Sequence, residues 1–259
     1  MGDRGFNILS VLCLAAIVGV MSWRSMHPHV SGVRATQVSY YAGDGITPAN
    51  IPADNSPITI GAGTFSTTAD GGTSWTPHGM PPATIAQRQI NLQFRFNGLP
   101  RDPARTIKRI EAVAQEWRHK GDIVNVLVFD YSPAKPDLAA YNALIRAANA
   151  AFTKEYTVNP YSIYPVVNLL WADKAQTLEA HGAPFVIRVP EAQISPQLFA
   201  RLSALQAGFI LQFPRGAGIA DIGLPRLRKL TNLRGVTLTL DPHRTLPVDK
   251  DAVGLFPKL

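Results

Sequence analysis

From residue 85 onward, short apolar runs alternate with stretches of helical periodicity, and this constrains the fold more than any other feature of the chain. Ile90–Phe96 alternates apolar and polar residues, as a strand does, and Asn97-Gly98 follows as a turn. Pro103–Lys120 reads as a helix, with Ile107, Ile110, Val113, Ala114 and Trp117 at helical spacing. Asp102 stands at its N-cap and Pro103 at the first helical position. Ile123–Phe129 is a buried-type strand, and Asp137–Phe152 a helix with Leu138, Tyr141, Leu144, Ile145 and Ala148 on one face. Ser162–Trp171 reads as a strand, followed by a short helix near Lys174–Ala180. Phe185–Val189 is the next strand, Ser195-Pro196 opens a helix running to about Leu205, and Gly208–Phe213 is a strand. A helix at Leu224–Leu230 and a strand at Val236–Leu240 complete the series.

Alternating β and α elements imply a parallel sheet with helices packed on it, because parallel strands need crossover connections. Two earlier strand-like pieces, Thr36–Tyr41 and Ile58–Phe65, bring the six clear strands to eight. The expected class is therefore α/β: repeated βα units in a (β/α)-barrel, whether regular or irregular and incomplete. An open parallel α/β sheet is the alternative. No Gly-x-Gly-x-x-Gly follows a strand, so a dinucleotide-binding version has no support. Residues 25–84 are rich in Gly, Pro, Ser and Thr, as in Thr67–Ser74 and Pro77–Pro82, and read as linker and loops. The two strand pieces within them belong either to the domain or to a loosely attached extension. The expected organisation is an N-terminal anchor over 1–24, a linker over 25–84 and the βα-repeat domain over 85–259.

Phe6 to Trp23 is nearly all apolar, broken by Asn7, Ser10, Gly19 and Ser22. As a helix it is roughly 27 Å long, just enough for a hydrocarbon core of about 30 Å. Trp23 suits an interface, and Arg24 closes the run. The sequence Val20-Met21-Ser22-Trp23-Arg24 is a poor cleavage site, so an uncleaved signal anchor fits better than a removed signal peptide. Cys13 lies inside the run, which continues well past it, and this argues against a lipoprotein site. The expectation is a chain anchored in a membrane through residues 6–23, with its bulk periplasmic or extracellular.

Cys13 is the single cysteine, so the rest of the chain can form neither a disulfide nor a thiolate metal site. Lys and Arg outnumber Asp and Glu by 25 to 18. A modest positive balance is a solubility charge, and it also favours anionic partners. The cations are scattered and not interleaved with aromatics, so nucleic acid is not an expected partner. There is no His-x-x-x-His or His-Glu-x-x-His helix, no Gly-x-Ser-x-Gly elbow and no phosphate-cradling glycine loop. No metal or cofactor is expected.

Ligands of such folds lie at the carboxyl ends of the strands. Those positions carry Asn97; Asp130 and Tyr131; Trp171 and Asp173; Glu191; Arg215; and Asp241 with His243. A glycosidase needs two carboxyl groups, about 5 Å apart for retention or roughly 6.5–9.5 Å for inversion. Asp130 with Glu191 or Asp241 are the catalytic candidates; capping a helix or turn is the competing role for each. Polar residues also punctuate the strands: Asn91, Gln93 and Arg95 between apolar neighbours, then Asn125, Asn168, Arg188, Gln212 and Thr239. Pointing inward, they make a polar lumen with two arginines. Arg95 and Arg188 then either hold Asp130 and Asp241 ionised or bind a substrate carboxylate. Arg95, Asn97, Tyr131, Trp171, Arg188 and Gln212 are the ligand-binding candidates.

The run Leu92-Gln93-Phe94-Arg95-Phe96-Asn97-Gly98 resembles the Arg-bearing strand of an uncharacterised bacterial domain-of-unknown-function family. Val126-Leu127-Val128-Phe129-Asp130-Tyr131, Leu138-Ala139-Ala140-Tyr141 and Gln212-Phe213-Pro214 resemble it too, over about residues 90–215. That family is similar to glycoside-hydrolase barrels, so the resemblance implies a barrel of sugar-related ancestry. The chitinase-type motif ends Asp-x-Asp-x-Glu; here Asp130 remains, with Val126, Val128 and Ser132 where further acids would fall. The expected function is a membrane-anchored, non-catalytic module binding a glycan or an envelope protein. A carbohydrate-active hydrolase is the alternative.

Overall fold

In the computed structural model, eight parallel strands close into a barrel, because the first strand pairs with both the second and the last. The structure describes residues 37–43, 45–52, 56–69, 71–78, 88–155, 161–178, 180, 182–190, 194–217 and 224–243. All of them fall in the unit spanning residues 35–258. The predicted anchor at 6–23 and Glu191 lie outside the described residues. Among the described residues no helix is long and apolar enough to cross a membrane.

The strands are β1 (Gln37–Ala42), β2 (Ile58–Thr67), β3 (Thr73–Pro77), β4 (Gln89–Phe96), β5 (Ile123–Asp130), β6 (Ser162–Val167), β7 (Phe185–Arg188), β8 (Phe209–Phe213) and β9 (Leu233–Thr239). The helices are α1 (Pro103–His119), α2 (Leu138–Glu155), α3 (Pro196–Ser203) and α4 (Leu224–Leu227). Every strand except β3 lies in the closed ring; β3 is an antiparallel hairpin partner of β2. Local chemistry explains the helix starts. Asp102 accepts a hydrogen bond from the Ala104 amide, and Ser195 accepts one from the Leu198 amide, each followed by proline.

The pleat sends alternate residues to opposite faces of the wall. On β4, Ile90, Leu92, Phe94 and Phe96 face outward and are buried in the main core, which also contains Ile107, Ile110, Ala114 and Trp117 of α1. A separate inner cluster comprises Val126, Val128, Val166 and Val186, with Tyr164 and Ile210 against it. Two distinct apolar clusters on two faces of one wall are what a small, filled barrel requires.

Three strands carry an extra residue that resets this alternation: Ala62 in β2, Asn125 in β5 and Arg234 in β9. Such bulges re-aim everything downstream. On β5, Val124 faces out, and after Asn125 the even-numbered Val126, Val128 and Asp130 face in. On β2, the same shift turns Thr64 into register beside Arg95.

Several sequence expectations shift. β1 and β2 are wall strands of the barrel, not a loose extension, and within the stretch read as linker Thr73–Pro77 forms β3. That hairpin depends on Gly63, where a Cβ would lie 2.3 Å from the Trp75 ring and 2.5 Å from the Thr76 carbonyl oxygen. The strand expected over Ser162–Trp171 stops at Val167. Asn168 accepts a hydrogen bond from the Leu170 amide and starts a 3-10 turn over Leu169–Trp171. The short helix near Lys174–Ala180 is a 3-10 turn at Lys174–Thr177, and α4 covers only the first turn of the helix expected over Leu224–Leu230.

Candidate functional site

Asp130 is the last residue of β5 and is 2% exposed. A carboxylate so deep in the wall needs donors, and four surround it. Its Oδ2 accepts from Gln93 Nε2 at 2.8 Å, Arg95 Nε at 3.3 Å and an Arg188 Nη at 2.5 Å. Its Oδ1 accepts from the Ser132 hydroxyl at 3.1 Å. Arg188 also donates from Nε to Gln212 Oε1 at 3.5 Å. The side chains come from β4, β5, β7 and β8, so the group crosses the barrel at its carboxyl end. The exposure is graded: Arg188 is 34% exposed and Arg95 is 52% exposed. Arg188 is tied down at two points, whereas Arg95 touches Asp130 through Nε alone.

The remaining lining follows the register. Across β9 and β1, the Ser39 and Thr237 hydroxyls share a hydrogen bond of 2.8 Å. Asn91 donates to Thr59 at 3.3 Å. Thr64, in register with Arg95, shares a 3.0 Å hydrogen bond with His78 Nε2, just after β3. The half of the lumen formed by β9, β1, β2 and β4 is thus polar, and the half formed by β5 to β8 carries the valine cluster. Burial raises the Tyr164 phenol there, so it stays neutral. Behind the mouth, Tyr141 donates to the Phe129 carbonyl at 2.6 Å. Burial, and next the charge of Asp130, push its phenol well above the usual range.

The structure brings together Asp130, Arg95, Arg188 and Gln212 of the residues singled out from sequence. It does not bring the others into that group. Asp241 accepts a hydrogen bond from the His243 amide at 2.9 Å, the turn geometry expected before Pro242. Asn97 is exposed, and its side-chain nitrogen lies 3.4 Å from the Ser66 hydroxyl. The Tyr131 hydroxyl accepts from the Asp137 amide at 3.4 Å, and its ring packs on Tyr141. Trp171 is 3% exposed and donates to the Pro133 carbonyl at 2.9 Å, joining two loops beneath the surface. Gln93 stands among the lumen residues of the sequence reading but not among its ligand-binding candidates; Ser132, Thr64 and His78 are in neither group. Gln93 shares the inward face of β4 with Arg95, a signal available in the alternation. Nothing in the sequence connects His78 to Thr64.

Among the described residues no cluster of His, Cys, Asp and Glu has the makings of a metal site. A cleft of about 330 Å³, lined by Leu169, Leu170, Ala172, Asp173 and Arg201 among others, shares no residue with the Asp130 group.

Comparison of the fold returns the crystal structure of a GH18 chitinase from Pseudoalteromonas aurantia. The match has a TM-score of 0.50 and 11% sequence identity, and covers 80% of this chain and 95% of that one. At this identity the likeness is one of (β/α)-barrel architecture. No family model matches the chain, and no curated protein matches it.

Proposed function

We propose that this protein is a non-catalytic glycan-binding barrel, held at a membrane by residues 6–23 with the barrel outside the cytoplasm. One observation carries the reading: Asp130, the single buried strand-end carboxylate described at the mouth, is fully engaged by Gln93, Arg95, Arg188 and Ser132. A carboxylate whose two oxygens already accept from two guanidinium groups, an amide and a hydroxyl has its hydrogen-bonding capacity spent on the protein and not on a leaving group. A glycosidase also needs a second carboxyl group at fixed spacing. Ser132 stands where the chitinase-type motif has its glutamate, and Asp241 is occupied in a turn. The barrel likeness to a chitinase supports a sugar-related ligand.

The test is a paired assay on the full-length chain with soluble chitooligosaccharides and a panel of envelope polysaccharides, following both retention of protein and release of reducing ends. Retention without turnover is the expected result. Turnover that disappears in Asp130→Asn would overthrow the non-catalytic reading in favour of a hydrolase. Protease accessibility in intact cells tests the topology: an exposed barrel supports it, and a barrel protected until the inner membrane is breached contradicts it.

A further inference from the structure

We infer that the mouth selects glycans bearing a carboxylate, held by the outer edge of the Arg95 guanidinium. The inference rests on the glycan-binding reading and names its ligand class.

Among the described residues of this group, two guanidinium groups meet one carboxylate, an excess of one positive charge. The two arginines are spent differently. Arg188 is committed inward, to Asp130 and Gln212. Arg95 commits only its Nε and keeps over half of its side chain in solvent, so both Nη groups remain for a ligand. A planar pair of N–H donors matches a carboxylate bidentately. The Nε contact to a buried, rigid Asp130 holds that fork in place beforehand, which lowers the entropy lost on binding. One excess charge suits a monoanion; a doubly charged group would meet Asp130 just behind the arginines.

The alternative way to hold a sugar is to stack it on an exposed aromatic ring. Among the described residues the exposed large apolar side chains are Ile123 and Leu170, and neither is aromatic. Ile123 also opens β5, at the end of the strand opposite Asp130. At this mouth the Arg95 guanidinium is exposed, whereas the neighbouring ring of Tyr131 is half-buried and packed on Tyr141.

The experiment is calorimetric titration of the full-length chain with oligomers of galacturonate, mannuronate and glucuronate-containing disaccharide units, each compared with its methyl ester and with the neutral hexamer of N-acetylglucosamine. Expected is binding of at least one acidic oligomer, weakened about tenfold or more by esterification and by salt. Arg95→Gln should abolish the difference between acid and ester, Arg95→Lys should restore part of it, and circular dichroism should show both variants folded. Equal binding of acid and ester, or of the neutral hexamer, overturns the carboxylate inference and leaves glycan binding standing. Absence of binding to every oligomer overturns both.

Discussion

The strand β5 has a buried aspartate at each end, and the two are treated in opposite ways. Asp130, at the carboxyl end, has four donors around it. Asp122, just before the amino end, is 4% exposed, and both of its carboxylate oxygens are buried without a hydrogen-bond partner. Desolvation raises its pKa from 3.8 to about 6. Removal from water costs both groups; only at the mouth is that cost offset by cations and amides placed on neighbouring strands. The mouth therefore holds a charge in place, whereas the base of the barrel merely tolerates one.

Substitutions at the two ends should have opposite signs. Asp130→Ala strands Arg188, Gln93 and Ser132 at once, and should destabilise by about 3 kcal/mol in denaturant unfolding. A loss below about 1 kcal/mol would mean that the two ends are not different in kind. Asp122→Asn should instead stabilise above pH 7, by roughly 1–3 kcal/mol. The sign follows from the direction of the shift. The folded state prefers the protonated acid, so stability is full below about pH 4, falls as pH rises through about 6, and is level above. Unfolding measured from pH 4 to 8 in both proteins should show that fall in the parent and not in Asp122→Asn; parallel curves would contradict it.

Within the mouth, Arg188→Gln should cost about 1–2 kcal/mol, since it removes a partner of Asp130 while leaving Gln93, Arg95 and Ser132. Arg95→Gln should cost less than about 1 kcal/mol, because its side chain is over half exposed and water replaces much of what it provides. Thermal and denaturant unfolding of the two side by side rank them. An Arg95 effect larger than that of Arg188 would reverse the division between a committed and an available arginine.

How much of this was legible beforehand differs from strand to strand. On β4 the alternation of Ile90, Leu92, Phe94 and Phe96 with Asn91, Gln93 and Arg95 shows the two faces directly, and Arg95 could be singled out from it. On β5 the apolar run hides them: Val126, Leu127, Val128 and Phe129 are all apolar, two facing the lumen and two the helices. The hairpin of β3 was hidden by its composition, since Gly, Thr and Ser read as linker until Gly63 is seen to admit the Trp75 ring.

The linear order of residues settles what depends on near neighbours. The helix starts at Asp102 and Ser195 and the βα alternation arise from side chains within a turn or two of one another, and propensity and capping act over that range. Tertiary structure decides what depends on register. The extra residues Ala62, Asn125 and Arg234 turn each following side chain to the other face, and nothing local marks them. Closure of the ring joins Ser39 to Thr237 across nearly the whole barrel sequence. The convergence of Arg95 and Arg188 on Asp130 likewise exists only once β4, β5 and β7 have taken their places in the wall, because contacts between distant segments are set by packing and not by local preference.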